Sequence, residues 1–147
     1  SQRIAFVTGA SRGIGRACAL SLARAGHDVA VAARNLDKLE ETAAEIRAIG
    51  RRAFVAAVDL ADPASIQDVL SRTAREFGRV EILVNNAAIT RDGLALRMKR
   101  EDFESVIATN LNGAFFACQQ VMQGMLRARW GRIINISSML GQVGLAA

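Results

Sequence analysis

The stretch Thr8-Gly9-Ala10-Ser11-Arg12-Gly13-Ile14-Gly15 places three glycines at Gly-x-x-x-Gly-x-Gly spacing directly after the apolar run Ile4 to Val7. Glycine lets a backbone turn sharply and approach a pyrophosphate closely, and a helix opening there offers free N–H groups and a partial positive charge. Strand, turn and helix in register therefore read as a dinucleotide cradle formed by Gly9, Ser11, Arg12, Gly13, Ile14 and Gly15, rather than as a structural turn. At the end of the second apolar run Ala33 is followed by Arg34. A site choosing NAD would hold an acid there to accept from the ribose 2′-hydroxyl. Arg34 instead suits bidentate pairing with a 2′-phosphate, with Arg12 as a second cation, so the pattern favours NADP(H). The plainer alternative is a solvated Arg34 opening a loop.

Further along, Asp59-Leu60 follows the third apolar run. Asp62 is the better helix cap, which leaves Asp59 for a ligand edge, the alternative being helix-entry chemistry. The fourth run continues into Asn85-Asn86-Ala87-Ala88. Buried Asn is costly unless bonded, so these amides are expected to satisfy backbone groups beside the crevice. Thr109-Asn110-Leu111-Asn112-Gly113 sits in a long helical segment although Asn and Gly are poor helix formers, which predicts a local bulge; a capping Asn110 between two helices is the alternative. Ser137-Ser138 follows the last run, at the carboxyl end of the sheet where open α/β folds bind ligands. No charged base lies nearby in sequence and no Gly-x-Ser-x-Gly elbow occurs, so a hydrolase nucleophile is disfavoured.

These residues need a scaffold of alternating strands and helices. Strands are expected at Ile4 to Val7, Val29 to Ala33, Ala53 to Val58, Ile82 to Asn85 and Ile133 to Ile136, mostly without polar alternation, as befits strands covered on both faces. Helical spacing links Ile14, Cys18 and Leu22, then Leu36, Leu39, Ala43 and Ile46, then Ile66, Leu70 and Phe77. The third helix is punctuated by Asp62 as cap, Pro63 at the first position and Gly78 as stop. A helical region from about Glu101 to Arg129 ends at Trp130-Gly131. The fold class is α/β: a Rossmann-type doubly wound parallel sheet, truncated after the fifth strand, in one domain spanning residues 1 to 147.

A length of 147 residues with 51% hydrophobic content supports one sizeable core. The apolar runs are too short for a membrane helix and no targeting segment is visible, so a cytoplasmic protein with a trimmed initiator Met is expected. Cys18 and Cys118 lack ligand or disulfide spacing, and the single His27 follows a glycine with no partner nearby, so no metal site is expected. The net charge of +5 is scattered apart from Arg97-Met98-Lys99-Arg100, without the aromatic-interleaved stripe of single-strand binders, so nucleic acid is not an expected partner.

The glycine spacing, Asn85-Asn86-Ala87 and the closing Ser138 together resemble the short-chain dehydrogenase/reductase family over the whole chain. Asn86 through Met98 and Gly131 to Ser138 resemble its 3-oxoacyl-acyl-carrier-protein reductases most. The resemblance implies an NADPH-dependent reductase of 3-oxoacyl thioesters in fatty acid biosynthesis, with a homotetramer contacting through the Ala114 to Arg129 helix. It also implies that Asp59 and Leu60 sit beside the adenine. Ser138, rather than Ser137, is implied to donate to the substrate carbonyl, and Asn110 to hold a water in a proton relay. Ala88 stands where the family pattern has Gly, which strains the chain if that position needs a positive φ. The family's Tyr-x-x-x-Lys pair supplies the acid, with Lys lowering the Tyr pKa. This sequence has no Tyr and stops nine residues past Ser138, so the pair is expected beyond its end. The 147 residues alone then read as an inactive NADP-binding fragment, and another ketone or secondary alcohol is the alternative substrate. The cluster Arg97 to Arg100, with Arg127 and Arg129, is a candidate dock for an acidic acyl carrier protein, or a solvated surface.

Overall fold

The computed structural model describes residues 2–143. Its strands are β1 (Ile4–Thr8), β2 (Asp28–Ala33), β3 (Ala53–Ala57), β4 (Ile82–Asn85) and β5 (Arg132–Asn135). All pair in parallel in the order β3-β2-β1-β4-β5. From β1 the chain winds outward through β2 to β3, then returns to β4 on the other side of β1. That reversal leaves a crevice at the carboxyl ends of β1 and β4, the topological switch point of an open α/β sheet.

Side chains alternate across the strands and divide the core in two. Ala5 and Val7 join Val29, Val31, Ile82 and Val84 beneath α1 (Gly13–Arg24) and α2 (Leu36–Ala48). Phe6 joins Ala30, Ala32 and Leu83 beneath α3 (Pro63–Glu76) and α5 (Gly113–Ala128). Apolar residues on both faces of the central strands are what the unbroken Val- and Ala-rich runs require. At the β5 edge all four residues are exposed and no strand lies beyond them among the described residues, as a sheet truncated after its fifth strand requires.

The helical stripes need correction in two places. On α1 the buried residues are Gly15, Ala19, Leu20 and Ala23, while Ile14 is 63% exposed. Cys18 and Leu22 pack only partly against the core. The close face of α1 is its small-residue face, which a search for large apolar residues passes over. On α2 Leu39, Ala43 and Ile46 are buried as expected, but Leu36, in the first turn, is exposed.

The punctuation of α3 holds. The Asp62 carboxylate accepts from Ala64 N at 2.9 Å, Pro63 opens the helix, and Gly78 adopts φ 129°. Phe77 belongs to the cap, half-buried and stacked on Phe54 at 5.6 Å. The long helical region breaks into α4 (Arg100–Val106), a π-helical stretch Ile107–Asn112, and α5, so the expected bulge is a π segment centred on the poor helix formers. Its stop is Arg129 at φ 52°, not Gly131. Trp130 N donates to Met125 O at 3.1 Å and Arg129 N to Leu126 O at 3.0 Å, a Schellman closure. After β5 the short α6 (Leu140–Val143) begins.

The amino end of the sheet is locked by two buried carboxylates. Asp28, 1% exposed, accepts from Gln2 Nε2 at 2.7 Å, Arg51 Nη2 at 2.6 Å, Arg52 Nε at 2.9 Å and Arg52 N at 3.1 Å. Glu81 accepts from Arg3 at 2.7 Å and Arg79 at 3.2 Å. Burial pushes the Asp28 carboxyl up, but the bonds from Arg52, Arg51 and Gln2 outweigh it and hold the group below its ordinary range. His27 plays a structural part here, its Nδ1 accepting from Arg3 N at 3.2 Å.

A depressed folded-state pKa means that the unfolded chain binds the proton more readily. Stability from Asp28 is therefore complete above the ordinary carboxylate range and is lost as pH falls through the depressed value. Asp28→Asn should cost about 1–3 kcal/mol at pH 7. In urea titrations its deficit against the parent protein should shrink on acidification below about pH 4.

Candidate functional site

The site is assembled where β1 and β4 end. Thr8, 1% exposed, donates its hydroxyl to Val84 O at 3.3 Å and accepts from Asn86 N at 3.0 Å and Ala87 N at 3.1 Å. The Asn86 side-chain amide returns the tie, donating to Thr8 O at 3.1 Å and Gly9 O at 3.4 Å. Asn86 thus satisfies backbone carbonyls beside the crevice, as its cost of burial demands. Asn85 reaches elsewhere, donating to Asn135 Oδ1 at 2.9 Å and Cys118 Sγ at 3.3 Å, which links the ends of β4 and β5.

Only glycine fits the turn that follows. Gly9 has φ 66°, and a Cβ there would lie 2.8 Å from Asn86 Nδ2 and 2.9 Å from Ala87 Cα. A Cβ on Gly15 would intrude on the Gly9 carbonyl and the Asn86 amide. Gly9 N and Ala10 N both donate to Ala32 O, at 2.8 and 3.3 Å, folding the turn back onto β2. The amino end of α1 is thereby delivered to the crevice, with no side-chain cap on its free N–H groups.

A cavity of about 540 Å³ opens over these strand ends. Gly9, Ser11, Arg12, Gly13, Ile14, Arg34, Asp59, Leu60, Asn86, Ala87 and Ala88 all line it. Of the residues expected at the nucleotide, Gly15 alone does not, because it is spent on packing α1 against Gly9. Arg12 and Arg34 are exposed, and neither forms an ion pair among the described residues.

Four of the expected site residues have local surroundings that the residue pattern left open. Asp59 is not wholly free for a ligand, since its Oδ1 accepts from Ala61 N at 3.0 Å in a local turn. Ala88 carries no positive φ; Arg129 is the non-glycine residue with that conformation among the described residues, so replacing Gly by Ala at 88 brings no backbone strain. Asn110 lies outside the cavity lining, and its amide is engaged on both sides with one N–H and one lone pair left over. Its Oδ1 accepts from Ile89 N at 2.9 Å and its Nδ2 donates to Ile89 O at 2.8 Å, clamping the loop after β4 to the π segment. Ser138 stands beyond β5 outside the cavity lining, its hydroxyl accepting from Leu140 N at 3.2 Å at the start of α6; Ser137 is outside it too.

Other residues join the site unannounced by the glycine pattern. Thr8 is the keystone of the loop tie, and Asn35, Lys38, Ile89, Arg91 and Thr109 line the cavity. Lys38 lies in the first turn of α2, four residues past Arg34, which precedes the N-cap Asn35, and no local pattern singles it out. The side chain of Arg91 approaches Asp102 at 3.7 Å.

The family model for short chain dehydrogenases matches residues 3–147. The chain belongs to the short chain dehydrogenase family. Among curated short chain dehydrogenases it is 45% identical over 141 residues to the 3-oxoacyl-[acyl-carrier-protein] reductase FabG of Staphylococcus epidermidis, covering 95% of this chain and 58% of that protein. It is 45% identical over 142 residues to FabG of Escherichia coli K12, covering 97% of this chain and 57% of that protein. The chain thus spans little more than half the length of these relatives. A crystal structure of F189W actinorhodin polyketide ketoreductase with NADPH superposes with a TM-score of 0.94 at 35% identity, over 99% of this chain and 56% of that one. No helix among the described residues is long and apolar enough to cross a membrane.

Replacing Thr8 by Val keeps the shape and strands two amide donors, so Thr8→Val should lower stability by about 1–3 kcal/mol. Amide exchange at Asn86 and Ala87 should accelerate while that in β2 holds, which two-dimensional NMR would read directly.

Proposed function

We propose that the protein carrying this chain is an NADP(H)-dependent oxidoreductase that reduces a 3-oxoacyl thioester to its 3-hydroxy form, as in fatty acid biosynthesis. The observation that carries the reading is the cavity over the switch point, in which a glycine turn and an uncapped helix end share a lining with Arg12 and Arg34, cations without an ion pair among the described residues. That lining fits a dinucleotide: Gly13, at φ 55°, has open space where a Cβ would stand, and Gly9 leaves no room for one. The two cations suit a nucleotide with an additional phosphate. The substrate class rests on the 3-oxoacyl reductases to which the chain is similar.

In this reading Gly9 to Ile14 hold the pyrophosphate, Arg12 and Arg34 the 2′-phosphate, and Asp59 and Leu60 border the adenine. Asn86, Ala87 and Ala88 border the nicotinamide ribose. When bound, the nicotinamide supplies the hydride. Ser138 donates its hydroxyl proton to the substrate carbonyl while its oxygen accepts from Leu140 N. Asn110 acts as a positioning residue by fixing Ile89 and the loop after β4. The Tyr and Lys of the family's acid pair lie outside these 147 residues, so the residues alone bind nucleotide with little turnover, loss of a general acid costing about 10²–10⁴-fold.

Two surfaces point to partners. Phe115, Met122 and Leu126 form an outward apolar stripe on α5, 61%, 44% and 71% exposed, which suits helix packing in a homotetramer. Arg129 holds a left-handed conformation that costs a side-chain-bearing residue about 1–2 kcal/mol, and it presents a cation beside Arg127. An acidic acyl carrier protein is the partner such a cation would steer.

Acetoacetyl-thioester-dependent NADPH oxidation by the purified protein tests the activity. Turnover of the thioester well above that of simple ketones or secondary alcohols is expected, and the reverse order selects another substrate of the same chemistry. Arg129→Glu should raise the apparent KM for carrier-bound substrate and spare a small thioester; equal effects on both reject docking.

A further inference from the structure

We infer that Lys38, a residue outside the glycine turn and the β2 end, is a third determinant of nucleotide choice, acting beside Arg12 and Arg34 on the 2′-phosphate. This rests on the nucleotide reading above and adds to it a residue that no motif marks.

The case begins with how the first turn of α2 sorts its charges. Asp37 and Lys38 are adjacent, yet Lys38 lines the cavity and Asp37 does not. The cavity is thus bordered by the cationic residue of the pair and not by the anionic one. Lys38 forms no ion pair among the described residues, whereas the side chain of Arg91, another cation of the lining, is approached by Asp102 at 3.7 Å. The carboxylate of the lining, Asp59, has one oxygen committed to Ala61 N. Among the described residues the cavity lining therefore holds three cations without an ion pair, Arg12, Arg34 and Lys38, more than a pyrophosphate cradled by backbone N–H groups requires.

The backbone of Lys38 is also fixed at both ends. Its N–H donates to Asn35 Oδ1 at 3.1 Å, and its carbonyl accepts from Thr42 Oγ1 at 3.4 Å. Thr42 is fully buried, and its single hydroxyl proton is shared between the Lys38 carbonyl and the nearer Ala10 O at 3.1 Å, inside the glycine turn. One hydroxyl thus couples the turn that carries Arg12 to the helix that carries Lys38. A flexible ammonium on a fixed stem adds charge where Arg34 supplies geometry.

The test compares dissociation constants for NADPH and NADH, by calorimetry at fixed salt, in the parent protein and in Lys38→Met, Lys38→Arg and Arg34→Ala. Methionine keeps the length and helix propensity of lysine, so folding is preserved. Lys38→Met should weaken NADPH binding about fivefold, leave NADH within about twofold, and flatten the salt dependence of NADPH binding, while Lys38→Arg retains the preference. Unchanged NADPH binding in Lys38→Met, with a loss in Arg34→Ala, overturns the role of Lys38 and leaves that of Arg34 standing. Equal weakening of both nucleotides overturns it as well, because that is the mark of a structural residue. A parent protein that binds both nucleotides alike overturns the underlying choice of NADP(H), and Lys38 with it.

Discussion

The hydrogen-bonded tie between Thr8 and Asn86 is the constraint on which the site depends. One buried hydroxyl accepts two amides of the loop after β4, and one side-chain amide returns to two carbonyls of the loop after β1. Parallel strands end with unpaired backbone groups, and burying them unpaired costs free energy. Here those groups satisfy one another across the switch point, so the two loops form one rigid rim. Gly9 and Gly15 are consequences of that closeness, since the Asn86 amide occupies the space where their Cβ atoms would stand.

A second layer of ties carries the rim outward. Thr42 couples the glycine turn to α2, and Asn110 clamps Ile89 to the π segment. A π-helical stretch is costly to form and recurs at functional sites, and here it places Asn110 against the loop rather than within a regular helix ladder. At the far end of the sheet, Asp28 and Glu81 gather arginines around buried carboxylates and hold the strand starts in place. The sheet is thus fastened by ionic contacts at one end and by neutral amide and hydroxyl contacts at the other, where Arg12, Arg34 and Lys38 have no ion pair among the described residues.

The strands, their parallel pairing and most of the cavity lining were legible in the residues, because apolar runs, glycine spacing and Arg34 are local signals. The buried face of α1 was not, since close packing selects Gly15, Ala19 and Ala23 for smallness, while hydrophobicity points to Ile14. The stop of α5 was missed because Arg129 takes a conformation that normally announces itself as glycine. Thr8 and Lys38 were missed for a different reason. Each matters through what it meets across the fold, Thr8 through a loop some eighty residues away, and no local pattern encodes such a meeting. Asn110 was legible as an anomaly in its helix, but its partner Ile89 was not.

If the tied loops are a nucleotide cradle, occupancy must slow their exchange with solvent together. Hydrogen exchange of the purified protein with and without saturating NADPH reads this directly. Protection rising in both Gly9 to Gly15 and Asn86 to Ile89, with Gln2 to Ile4 unaffected, is the predicted result. Unchanged exchange in both loops, or protection confined to a surface outside the cavity, would contradict it.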